Sequence, residues 1–128
     1  MTSASGGIDY LSVDDLMEIA EGVLDEVAVR DFGLPSSAAA RPQTAVFGTD
    51  AYPTFAEKAA ALMHSIARNH ALVDGNKRFA WAAARTFCLL NGQDIKYEVD
   101  DAEQTVLAIA AGEIDVPEIA RWITDRLH

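Results

Sequence analysis

Apolar residues recur along most of this chain at the three-to-four-residue spacing of amphipathic helices. Leu16, Ile19, Ala20, Val23, Leu24 and Val27 form the first stripe. Ser12 and Asp15 precede it as a capping box, and Gly33 reads as its stop. A Ser/Ala-rich turn of helix is expected over 36–40. Residues 41–53 hold two prolines and a glycine without helical period, and read as an extended loop or flap. Thr54 and Glu57 open a second capped helix running to about Asn69, with Phe55, Ala59, Leu62, Met63 and Ile66 on one face. An alanine-rich helix is predicted over 76–90, ended by Asn91-Gly92. Its small side chains permit close helix approach, as expected of a central element. Residues 94–99 read as a short extended piece. Helices follow over 101–111 and, capped by Asp115 with Glu118, over 116–127. The pattern predicts an all-α fold: a compact single-domain bundle of about six helices over 8–128, after a disordered segment over 1–7.

Composition narrows the function. A chain of 128 residues can bury ~65–70% of the surface its unfolded form exposes. Twenty acidic against ten basic residues give a formal charge of −10, which argues against a general nucleic-acid binder. Nothing approaches the ~20 uninterrupted apolar residues of a membrane span. The opening Met1–Gly7 lacks the charge and apolar core of a signal peptide, so a cytoplasmic location is expected. The single Cys88 has no internal partner and reads as a small core residue.

Chemistry concentrates in the run His70-Ala71-Leu72-Val73-Asp74-Gly75-Asn76-Lys77-Arg78. A helix starting near Asn76 leaves its first N–H groups unpaired and carries partial positive charge there. Gly75 permits a tight, left-handed turn that brings those groups against an anion. Arg78 offers a fork for two phosphate oxygens and Lys77 a mobile point charge. Asp74 beside phosphates makes sense with a magnesium ion, which takes carboxylate and phosphate oxygens together. His70 can accept a proton near neutral pH. Each has a plainer reading as well: His70 a helix cap, Asp74 or Asn76 a turn former, Arg68 a last-turn cation. His64 reads as a structural or exposed group, and Arg85 as a cation–π or surface group.

This run resembles the signature of the Fic/Doc superfamily, His-Pro-Phe-x-Asp-Gly-Asn-Gly-Arg. It is closest to the Doc branch, which carries lysine where Fic enzymes carry the second glycine; Lys77 stands there. Gly33-Leu34-Pro35, Arg41-Pro42, Tyr52-Pro53, Phe55–Ala60, Arg68-Asn69-His70 and Leu89–Gly92 are also Doc-like, so the resemblance covers roughly 8–127. It implies an all-α fold with a Fic/Doc-type helix-loop-helix active site and a flap over 41–53.

For function, the resemblance implies a toxin kinase that delivers the γ-phosphoryl group of ATP to a threonine of elongation factor Tu and so arrests translation. His70 is then the base and Asp74 the Mg²⁺ ligand. Asn76, Lys77, Arg78 and the Gly75–Arg78 amides stabilise the transferring group, and Arg68 is a secondary contributor to nucleotide binding. The implied partner is a Phd-type antitoxin whose C-terminal segment folds on the toxin, with any DNA contact left to the antitoxin. Ala71 and Leu72 replace the usual Pro and Phe, and Phe79 a common Thr. Trp81 replaces a second arginine that holds the γ-phosphate in Fic adenylyltransferases. AMP transfer and a catalytically weak binding module are the two alternatives.

Overall fold

Ser12 and Asp15 cap each other's backbone N–H groups and start α1, Val13–Val23, in the computed structural model, which describes residues 7–128. Apart from Gly7, the segment expected to be disordered lies outside the described residues. Five further helices follow among these residues: α2 Gly33–Ala40, α3 Phe55–Asn69, α4 Asn76–Leu90, α5 Val99–Ala110 and α6 Val116–Thr124. The all-α bundle expected from the periodicity is the observed fold. Its α3 and α4 begin and end within a residue of the predicted bounds.

The core is built on α3, which packs against α2, α4, α5 and α6. Ala59, Ala60, Ala61, Leu62, Met63 and Ile66 are all fully or almost fully buried there. Alanines on α3 and α4 let the two backbones come close, while Phe79, Phe87, Ile109, Ile119 and Ile123 fill the spaces around them. Phe87 stacks on Phe55 with ring centroids 4.9 Å apart. Cys88 is wholly buried beside it in sequence, and burial pushes its thiol up to about 12.

Helix ends follow their caps. At the end of α4 the Gly92 N–H donates to Leu89 O and the Gln93 N–H to Cys88 O, with Gly92 at φ +78°. Gly112 closes α5 by the same pattern. Asp115 and Glu118 form the expected capping box of α6. Arg85 grips Asp94 through two hydrogen bonds of 3.0 and 3.1 Å and lies over the Tyr97 ring. That grip holds the Asp94 carboxyl below the usual carboxylate range.

Four boundaries differ from the periodicity. The first helix stops at Val23, and Val27 and Val29 belong instead to an extended stretch whose Val29 bridges Leu72. Gly33 begins a helix rather than ending one, because its N–H is taken by the Asp31 carboxylate at 2.9 Å. The flap contains a 3-10 turn, Arg41–Gln43, and a small antiparallel hairpin of β1, Ala45–Val46, with β2, Thr49–Asp50. The last helix ends at Thr124, since Leu127 leaves to bridge Ile95.

The hairpin turns on Phe47 and Gly48, both at positive φ, with the Phe47 side chain fully exposed. Lys58, buried on α3, ties the flap down: its ammonium donates to Tyr52 O at 2.6 Å and to the Asp50 carboxylate at 3.3 Å.

Candidate functional site

The loop between α3 and α4 is held at both ends by left-handed residues. His70 caps α3 at φ 51°, ψ 52°, and Gly75 precedes α4 at φ 84°. A non-glycine residue in that region costs about 1–2 kcal/mol, so His70 sits in a conformation its surroundings must enforce. They do so by backbone pairing. The Arg30 N–H donates to Ala71 O at 2.8 Å, the Val73 N–H donates to Ala28 O at 2.9 Å, and the Arg30 guanidinium reaches His70 O at 3.3 Å.

Asn76 fixes the loop from inside. Its side-chain oxygen accepts from the Leu72 N–H at 3.0 Å, and its amide donates to Leu72 O at 2.8 Å. Leu72 is fully buried and Asn76 nearly so. Leu72, standing where the family signature has Phe, therefore plugs the loop with an apolar side chain, and the Asn76 side chain orients the loop with both its polar atoms engaged.

What this leaves open is the start of α4. No side chain caps it among the described residues. Phe79 makes the first helical bond, to Gly75 O, so the Asn76, Lys77 and Arg78 amides have no carbonyl partner within the helix. The Gly75 N–H is taken by Asp74 Oδ1 at 2.8 Å. These residues line a cleft of about 580 Å³ whose opposite wall is Leu24, Asp25, Glu26 and Ala28. Lys77 and Arg78 are exposed and form no ion pair among the described residues, although Arg78 reaches Val23 O at 3.5 Å. Gly75 has a second reason to be glycine: a β-carbon there would meet the Leu24 methyls at 2.7 and 2.8 Å.

Asp74, Gly75, Asn76, Lys77 and Arg78 thus come together in one cleft. His70 lies at the other end of the loop, exposed, and does not line that cleft. Arg68 is drawn elsewhere: its guanidinium donates to Ala110 O at 2.9 Å and packs on Gly112, capping α5. The expected contribution of Arg68 to nucleotide binding therefore has no counterpart in the loop geometry.

Among the described residues, no three His, Cys, Asp or Glu side chains are grouped to hold a metal ion. The donor set suits an ion taking one carboxylate and completing its shell with phosphate oxygens and water, as Mg²⁺ does.

Sequence reasoning missed the opposite wall and the Arg30 clamp. The available signal was the alternation Val27-Ala28-Val29-Arg30, an extended pattern hidden behind a helical one. His64 proves structural: Arg41 Nη1 meets its Nδ1 at 2.7 Å and Asp115 lies 3.5 Å from its Nε2.

No helix among the described residues is long and apolar enough to cross a membrane. A family model described as Fic/DOC family matches residues 10–88. A relative named Toxin Doc, from Mycolicibacterium smegmatis, is 50% identical over 117 residues, 88% of each chain. With the family model spanning the signature loop and the relative spanning nearly the whole fold, the chain belongs to the Fic/DOC family.

Proposed function

We propose that this protein is a Doc-type toxin, a protein kinase that transfers the γ-phosphoryl group of ATP to a Thr or Ser hydroxyl of a translation factor, elongation factor Tu. The family generally transfers phosphate or nucleotide groups to proteins, and the half-identical relative is named as a toxin. The observation that carries the reading is the uncapped start of α4, opening on a cleft with two cations, Lys77 and Arg78, that form no ion pair among the described residues. That arrangement suits a terminal phosphate.

His70 accepts the proton of the target hydroxyl as its oxygen bonds to the γ-phosphorus and the bond to ADP breaks, a role worth on the order of 10²–10⁴ in rate. Lys77, Arg78 and the free amides of α4 hold the charge on the transferring group. Asp74 would hold Mg²⁺, which when bound neutralises phosphate charge. Asn76 keeps the loop in shape through Leu72. Trp81 offers no charge where a second phosphate-holding arginine would stand, which favours phosphoryl over AMP transfer. We take residues 8–128 as the catalytic domain, working in the cytoplasm against a Phd-type antitoxin.

The test is purified protein with elongation factor and ATP labelled at either the α- or the γ-phosphorus. Transfer of γ-label alone, abolished in His70→Ala, supports the kinase. Transfer of α-label replaces it with AMP transfer, and transfer of neither leaves a binding module.

A further inference from the structure

We infer that the groove between the first turns of α4 and the flank of α5 seats the base of the nucleotide, an amino-bearing purine; this rests on the phosphate-binding reading above. Lys77 and Arg78 line both the cleft and this groove, so one pair of cations forms the wall between them. Past that pair the groove turns apolar. Trp81, one turn beyond Lys77, meets Tyr97 edge to face with ring centroids 4.7 Å apart and planes at 68°. Trp122 braces Trp81 from a third side at 6.1 Å. The two rings make a fixed aromatic corner, and a ring that is already held loses little freedom when a base stacks on it.

Size and charge select the occupant. The groove encloses about 420 Å³, within the ~300–1,000 Å³ of small-molecule sites. Val99 and Leu107 on its rim are 69% and 39% exposed, so the apolar lining is open to a ligand. Among the described residues Lys77 and Arg78 are the only cations lining it, so these give the groove's far end nothing to hold a phosphate, whereas an uncharged aromatic ring suits it. Glu103 is the one carboxylate along the groove among the described residues and can accept from an exocyclic amine. A nucleotide laid this way has its polyphosphate at the α4 N-terminus and its base against α5.

Calorimetric titration with ATP, ITP and inorganic tripolyphosphate tests the assignment on the full chain. Trp81→Leu and the surface variant Leu107→Asn are each expected to weaken ATP about tenfold. Both should leave tripolyphosphate within about twofold. ATP should bind more tightly than ITP, which lacks the amine, and Glu103→Ala should erase that preference. Tripolyphosphate binding normally while both variants bind ATP as the wild type does overturns the base seat alone. A wild-type protein that binds neither ATP nor tripolyphosphate overturns the phosphate reading and the base seat with it. Leu107 is partly exposed, so its variant decides the matter should Trp81→Leu fail to fold.

Discussion

Leu24 occupies the space that a side chain on Gly75 would need, with its methyl carbons 2.7 and 2.8 Å from that β-carbon position. The contact joins the segment after α1 to the loop that shapes the α4 N-terminus.

Gly75→Ala therefore incurs two penalties, a left-handed backbone of about 1–2 kcal/mol and a clash with Leu24. Adding Leu24→Ala removes the clash and leaves the backbone term. Urea unfolding of the two single variants and the double variant should give a coupling of about 1 kcal/mol. Strict additivity refutes the contact.

Asn76→Ala strands both polar groups of the buried Leu72 peptide, at a cost of about 2 kcal/mol or more. Asn76→Asp keeps the acceptor for the Leu72 N–H but sets a carboxylate against Leu72 O. We expect both variants to melt lower than the wild type, with the loop amides exchanging faster in hydrogen-exchange measurements. Unchanged exchange at Leu72 counts against this role.

For Arg68, the α5 cap predicts lost stability with nucleotide binding intact. Arg68→Ala should cost about 1 kcal/mol in urea unfolding and leave ATP affinity within about twofold. A collapse of ATP affinity at unchanged stability would return Arg68 to the nucleotide site.

Burial and then the Arg41 guanidinium hold the His64 imidazole below its ordinary 6.5, with Arg68 adding to the fall and Asp115 opposing it. With its Nδ1 accepting from Arg41, the ring is neutral in the fold. Below pH 6.5 the unfolded chain takes up a proton that the folded one resists. Its contribution to stability is intact above that pH, is lost as acidity moves from there toward the lowered folded value, and levels off below it. Between about pH 7.5 and about pH 5.5 the wild type should lose more melting temperature than His64→Gln does. Equal losses discard the assignment.

Most of the frame was legible in the sequence because it is local. Ser12 with Asp15, Thr54 with Glu57, and Asp115 with Glu118 mark helix starts by side chains a few residues away, and Asn91-Gly92 marks a stop. The site was legible on the loop side for the same reason: Asp74 to Arg78 are consecutive. Its other wall was hidden, because Leu24 to Ala28 become a wall only through pairing of Val29 with a residue 43 positions later, Leu72. Arg68 is the opposite case. Its place in the sequence suits the loop, but the carbonyls left open at the end of α5 draw it away.

Cys88 carries a last consequence. With the thiol sealed among α4 and its neighbours and its ionisation deferred to about 12, the native protein should ignore alkylating reagents at neutral pH. Each molecule labelled must first have come apart, so the rate of labelling at this lone thiol would serve as a clock for how often the fold opens.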